Sequence, residues 1–234
     1  MFENINFRED VDKYMSELRA WLDETADTPV EDMSDFFAAR LDGYEEHMSP
    51  WRESYRILAE TLPEVIRTLL DLGCGTGLEL DEIFPRFPGL SVTGVDISAA
   101  MLNRLREKHS DKCMNLIEGD YFAVDLGSDF DCAVAFQTLH HFVAERKYEL
   151  FRKIYGALKA GGSFIYTDYF ACCDEEERLL FGEYSRRCGD LPAGRYLHFD
   201  IPLTLPHEAE LLQRAGFSVT AQAVPNAVMI TAKK

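Results

Sequence analysis

Apolar positions recur at helical spacing through the early part of the chain and then change rhythm. Val11, Tyr14, Met15, Leu18 and Trp21 or Leu22 form one stripe. Thr28-Pro29 breaks it. Ser34 then reads as a helix N-cap, and Phe37, Leu41, Tyr44 and Met48 form a second stripe. Ser49-Pro50 opens a third helix that runs to about Thr61. From Arg67 onward, short apolar runs alternate with amphipathic segments. The runs at 68–72, 90–95, 114–117, 130–136 and 163–167 predict five strands. Helices are expected near 78–84, from the Ser98 cap to Lys108, and along the stripe Leu150, Phe151, Ile154 and Leu158 up to Gly161-Gly162. A helical insertion follows Tyr169 and runs to about Arg187, then a loop rich in Gly and Pro. Leu205–Ala215 predicts a last helix with Gly216 behind it. The runs at 217–224 and 227–231, joined by Pro225-Asn226, predict an antiparallel hairpin at a sheet edge.

Strands that alternate with helices argue an α/β fold with a doubly wound, mostly parallel sheet. The run at 130–136 is apolar almost throughout, as a strand covered on both faces requires. The division expected is a helical cap over 1–62 and an α/β core over 63–234, with the helical insertion at about 170–204.

With 234 residues, 47% of them hydrophobic and 28% charged, the chain can bury a sizeable core. Its 41 acidic residues against 24 basic ones give a formal net charge of −17. That balance repels phosphate backbones, so no direct nucleic-acid binding is expected. No apolar stretch approaches the roughly 20 residues of a membrane span. Met1-Phe2-Glu3-Asn4 offers neither a basic nor an apolar export region. The six cysteines are scattered without a C-x-x-C pair and read as reduced thiols in a cytoplasm.

The sharpest chemical signal is Leu70-Asp71-Leu72-Gly73-Cys74-Gly75-Thr76-Gly77, where a strand ends and a helix begins. Glycines there allow a tight turn and bare backbone against a ligand, and the next helix offers its N–H groups. Leu78 stands where a dinucleotide fingerprint needs its last glycine, so a nucleoside site of another type is indicated. Asp96 ends the second strand, where an acid can accept hydrogen bonds from both ribose hydroxyls. Asp120 follows the third strand and can accept from an adenine amino group, with Tyr121 or Ile97 against the ring.

Asp71 to Gly77, Asp96, Gly119-Asp120, Phe130 to Gln137 and Leu158 to Gly162 resemble successive motifs of the class I S-adenosylmethionine-dependent methyltransferases. The resemblance spans roughly residues 66–169. It implies a Rossmann-like seven-stranded sheet of order 3-2-1-4-5-7-6 with its last strand antiparallel. It also implies S-adenosyl-L-methionine as cofactor and S-adenosyl-L-homocysteine as product. Asp71, Gly73, Cys74, Gly75 and Gly77 would hold the methionine end, Asp96 the ribose, and Ile97, Met101, Asp120 and Tyr121 the adenosine. Gln137 would face the sulfonium and the acceptor.

After the fourth strand, Gln137-Thr138-Leu139-His140-His141-Phe142 departs from the Asn/Asp-Pro-Pro-Tyr/Phe motif of methyltransferases acting on amide or exocyclic nitrogens. It resembles the small-molecule branch instead. His140 or His141 is a candidate general base. Neighbouring residues should point apart, which makes the pair a poor chelate, and no metal site is expected. Tyr44 and His47 are candidates to close over the sulfonium, and Arg52 to meet an acidic acceptor. Arg186, Arg187, Arg195, Tyr196 and His198 of the insertion would cover the pocket from the other side or form a homodimer contact. Two other readings stand beside small-molecule methyl transfer. Phe199-Asp200-Ile201-Pro202-Leu203-Thr204 loosely resembles a stretch in enzymes that make carboxy-S-adenosylmethionine for tRNA wobble-uridine modification, which would require an arginine such as Arg195 or Arg52. A non-catalytic cofactor-binding regulator is the other.

Overall fold

The computed structural model describes residues 8–189 and 195–234. The extreme N-terminus and part of the Gly/Pro-rich loop lie outside the described residues. Four helices precede the sheet: α1 (Val11–Glu24), α2 (Met33–Ala39), α3 (Leu41–His47) and α4 (Arg52–Thr61), with a 3-10 turn at Ser49–Trp51. The first stripe resolves in favour of Leu22, which is buried, while Trp21 is 49% exposed. The second predicted helix is two helices broken at Arg40, and its cap is Asp32, whose carboxylate accepts from Ser34 N at 3.1 Å. An aspartate two residues earlier satisfies the first turn that Ser34 was expected to cap.

The sheet strands are β1 (Thr68–Leu72), β2 (Ser91–Asp96), β3 (Cys113–Glu118), β4 (Phe130–Phe136), β5 (Leu158–Asp168), β6 (Ser218–Val224) and β7 (Ala227–Lys233). Helices α5 (Leu78–Arg86), α6 (Ala99–Lys108), α7 (Ala144–Ala157), α8 (Asp174–Cys188) and α9 (Leu205–Ala215) connect or flank them. The order is β3-β2-β1-β4-β5-β7-β6, with β7 antiparallel to both neighbours, as expected. Strand β5 starts earlier than the apolar run suggested. Helix α7 stops at Ala157 and the backbone turns extended at Leu158, so Gly161-Gly162 lie inside the strand rather than at a helix end.

Alternation along the strands builds two cores. Ala133 and Ala135 face α7 and α9 with Leu150, Phe151, Ile154 and Leu212. Cys132, Val134 and Phe136 face the other layer with Leu58, Leu80, Ile83 and Leu105. Helix α4 belongs to this second core, and Tyr55 packs on Phe136 at 4.0 Å between ring centroids. The boundary placed after residue 62 thus groups α4 with a cap, while its packing is with the sheet.

A third, separate core joins α1 to the insertion through Met15, Leu18, Leu22, Leu180, Phe199 and Ile201. Polar contacts reinforce it. Tyr14 and Tyr169 hydroxyls both donate to the buried Glu176 carboxylate. Met33 N donates to Tyr196 O and His198 N to Glu31 O, both at 2.9 Å. All six cysteines are free thiols. Among the described residues no helix is long and apolar enough to cross a membrane.

Candidate active site

The winding direction of the sheet reverses between β1 and β4, and ligands of open α/β sheets bind in the crevice at the carboxyl ends of such strands. The glycine loop leaves β1 there, and Gln137 leaves β4. Gly73, Gly75 and Gly77 all take positive φ, at 67°, 47° and 73°. A Cβ on Gly73 would lie 2.4 Å from Thr138 Oγ1, so bare backbone lets the two loops meet. A Cβ on Gly75 would meet Tyr44 Oη at 3.7 Å and Gly73 O at 4.0 Å, ordinary contacts that leave room in the cleft.

Gly73, Gly75, Asp96, Ile97, Met101, Asp120, Tyr121, Gln137 and Tyr44 line one cleft. Asp71, Cys74 and Gly77 are not on its wall. Asp71 and Cys74 are buried behind the loop, and Gly77 caps α5 against Leu105. Asp96 accepts from Gly75 N and Ser98 N, each at 2.8 Å. A carboxylate has about four acceptor directions, so two remain for a ligand. Burial raises its pKa. The Asp120 oxygens are already engaged. Phe122 N donates to one at 2.8 Å and the Tyr196 hydroxyl to the other at 2.9 Å. Tyr196 of the insertion therefore acts through its hydroxyl on a cleft acid, a role the sequence reading did not give it.

Behind the loop stands a pair that sequence reasoning missed. Asp71 and Glu79 are buried, and both Asp71 oxygens lack a hydrogen-bond partner among the described residues. Burial pushes Glu79 up to about 7 and raises Asp71, to which the facing Glu79 adds. The folded state therefore keeps protons that the unfolded chain releases near pH 4.3. Between that pH and about 7, stability falls as pH rises. Glu79→Gln should match the parent in urea unfolding at pH 4–5 and exceed it at pH 8 by roughly 3–4 kcal/mol, at about 1.4 kcal/mol per pKa unit. Equal pH slopes in the two proteins would reject the raised Glu79 carboxyl.

A second cavity of about 530 Å³ adjoins the cleft and shares Phe37, Tyr44 and Gln137 with it. Its polar wall includes His140, His141, His198 and Asp200, and Arg40, Asp42, His47 and Trp51 stand at the cap side. Gln137, at φ 50°, is a non-glycine residue in the left-handed region, a strain often found at functional sites. His140 and His141 do not diverge as expected. They sit in a 3-10 turn, Leu139–His141, that brings their rings to 4.0 Å between centroids. The turn is fixed by Asp168 at the end of β5. This acid accepts from Leu139 N at 2.9 Å, from Tyr169 N at 2.8 Å and from His140 Nδ1. Burial alone would lower the His140 pKa, but the Asp168 and Asp200 carboxylates outweigh it and raise it. Burial opposes ionisation of Asp168, yet His140 and Lys147 hold it below the usual range. Burial and the neighbouring His140 lower His141. His198 stacks on Phe36 at 3.5 Å and 7°, and burial brings it down to about 4. Burial, Glu79 and Asp96 raise Tyr44, which stays a neutral phenol and so a donor rather than a base. Asp168 escaped the sequence reading, although an acid closing a buried strand at the binding end of the sheet is a usable signal.

A family model described as a methyltransferase domain matches residues 70–164, the stretch from β1 into β5. That stretch is similar to a methyltransferase domain, in line with the resemblance that the glycine loop, Asp96 and Asp120 carry. A carboxy-S-adenosyl-L-methionine synthase of Campylobacter fetus is 35% identical over 47% of this chain and 48% of its own length. A cypemycin N-terminal methyltransferase of Streptomyces is 33% identical over 64% of this chain and 56% of its own. The chain thus spans about half the length of these relatives. The human N-acetylserotonin methyltransferase structure, solved with its cofactor, superposes with a TM-score of 0.61 at 25% identity, over 82% of this chain and 54% of that one.

Proposed function

We propose that this chain moves the methyl group of S-adenosylmethionine onto a small-molecule acceptor. The observation that carries this reading is the pair of adjoining spaces that meet at Gln137. One presents bare glycine backbone and Asp96, and the other presents His140 held by a buried carboxylate. When bound, the cofactor supplies an electrophilic methyl on a sulfonium. The residues of this chain bind and align the two reactants, which an in-line displacement needs at about 3–3.5 Å. Free acceptor directions on Asp96 suit ribose hydroxyls, and the bare loop suits the methionine end. Phe37, Tyr44, Met48 and Trp51 keep water away from the acceptor. His140 Nε2 takes a proton if the acceptor has one to lose. The acidic net charge favours such an acceptor over a nucleic acid.

Calorimetry with S-adenosylmethionine tests the cofactor half. The parent should bind, and Asp96→Ala should weaken binding by roughly 1.5–3 kcal/mol, the scale of hydrogen bonds to a charged group. Unchanged affinity would reject the ribose assignment. The relatedness to carboxy-S-adenosyl-L-methionine synthases supports a second reading, in which the chain alters the cofactor itself. The arginines suggested for an added carboxylate stand elsewhere: Arg195 Nε lies 3.6 Å from Asp32, and neither Arg52 nor Arg195 lines either space. Native mass spectrometry of the freshly purified protein separates the two. A retained mass heavier than S-adenosylmethionine by one carboxylate favours the second reading.

A further inference from the structure

The wall of the acceptor cavity carries a donor set that methyl transfer does not require. His140 Nε2 lies 3.5 Å from Asp200 Oδ1, and His141 Nδ1 lies 3.2 Å from the same oxygen. The three donor atoms lie within 4.8 Å of one another. With metal–ligand bonds of about 2.0–2.2 Å, ligands of one ion stand roughly 2.8–3.6 Å apart in octahedral-cis or tetrahedral geometry. Both spacings to Asp200 fall in that window.

The surroundings fit as well. Metal-bound histidines usually give their other ring nitrogen to a carboxylate, which fixes the tautomer and aims the free nitrogen. Asp168 does this to His140 Nδ1, and is itself pinned by two backbone N–H groups. The competing partner of His141 Nδ1 is the Phe199 carbonyl at 3.3 Å. The open side of the cluster faces the cavity, which leaves coordination positions for water or a ligand oxygen. Two imidazoles and one carboxylate suit Zn²⁺, Fe²⁺, Ni²⁺ or Cu²⁺ rather than Mg²⁺ or Ca²⁺.

We infer that His140, His141 and Asp200 bind one divalent transition cation of the Zn²⁺ class. Cation binding does not rest on the methyl-transfer reading. Only its consequence does: Nε2 of His140 has a single lone pair, so it either ligates the cation or accepts a proton. The cation-loaded and base-competent forms exclude each other.

The test uses the full chain, stripped with chelator and titrated with Co²⁺ followed by visible d–d absorption, and with Zn²⁺ by calorimetry. One site per chain with a Kd of about 1 µM or tighter is expected. Asp200→Asn and His141→Phe should each weaken binding at least ~10-fold, and Asp168→Asn, acting through His140, by about 10–100-fold. Circular dichroism of each variant checks folding, and the parent's cobalt spectrum decides alone if a variant fails to fold. No ligand-field absorption in the parent, or equal affinity in folded Asp200→Asn, overturns the site. A parent that binds S-adenosylmethionine but neither Co²⁺ nor Zn²⁺ would overturn this inference and leave the proposed function standing.

Discussion

A His140→Ala variant should turn over about 10²–10⁴-fold more slowly than the parent on a hydroxyl acceptor, the usual contribution of a positioned acid or base. Its affinity for S-adenosylmethionine should not change, because His140 lines the acceptor cavity and not the cleft of the glycine loop. The size of the effect follows from how firmly the ring is held. Asp168 is buried, anchored by two N–H groups, and bonded to Nδ1, so Nε2 has one orientation. His141 lacks such an anchor. Its ring meets a backbone carbonyl and the half-exposed Asp200. His141→Ala should therefore cost less rate than His140→Ala. The comparison is made in chelator, with an acceptor found by screening, and parent-like turnover in both variants would reject a histidine base.

The second large effect concerns stability. Lys147→Met should destabilise the fold by about 3–5 kcal/mol, the cost of leaving a buried charge without its partner. Lys147 Nζ lies 2.9 Å from Glu208 Oε2, with side-chain exposures of 2% and 0%, and the Tyr166 hydroxyl reaches the other oxygen at 3.1 Å. Burial already raises the Glu208 pKa, and Lys147 is the main group opposing that rise. Without the lysine, the carboxyl must take up a proton or remain charged between α7 and α9. Lys147→Met combined with Glu208→Leu should recover most of the loss, because two apolar chains replace the pair. Urea unfolding of the four proteins forms the cycle, and a loss below ~1 kcal/mol in Lys147→Met would show that the pair is not the joint between these helices.

The strands were legible because each core strand is a short apolar run bounded by turn residues, while their order was implied only by the family resemblance of the motifs. Local chemistry also placed the Ser98 cap, where Ser98 Oγ accepts from Met101 N. What escaped notice depends on partners far away in the chain. Lys147 lies on the Leu150, Phe151 and Ile154 stripe, a place where a lysine implies a buried acid, but nothing nearby names Glu208. Asp168 and Asp200 acquire meaning only when β5 and the insertion converge on His140. Arg40 stands where a helix that the apolar stripe alone would continue is interrupted, and its guanidinium pairs with Glu31 at 2.8 Å. In the cleft, the glycines and acids could be named from the sequence, but not that Asp71 stands behind the wall or that Tyr196 already occupies Asp120.

The core shared by α1 and α8 has an implication for re-engineering. Two segments far apart in sequence fasten to each other around Phe199, which stands between His198 and Asp200 of the second cavity's wall. Substrate choice is therefore a property of the two pieces jointly. A chimera that imports only the leading helices from a related enzyme would face a mismatched Leu180, Phe199 and Glu176. Re-engineering in this scaffold therefore calls for exchanging α1 and the insertion as one unit while the sheet stays unchanged.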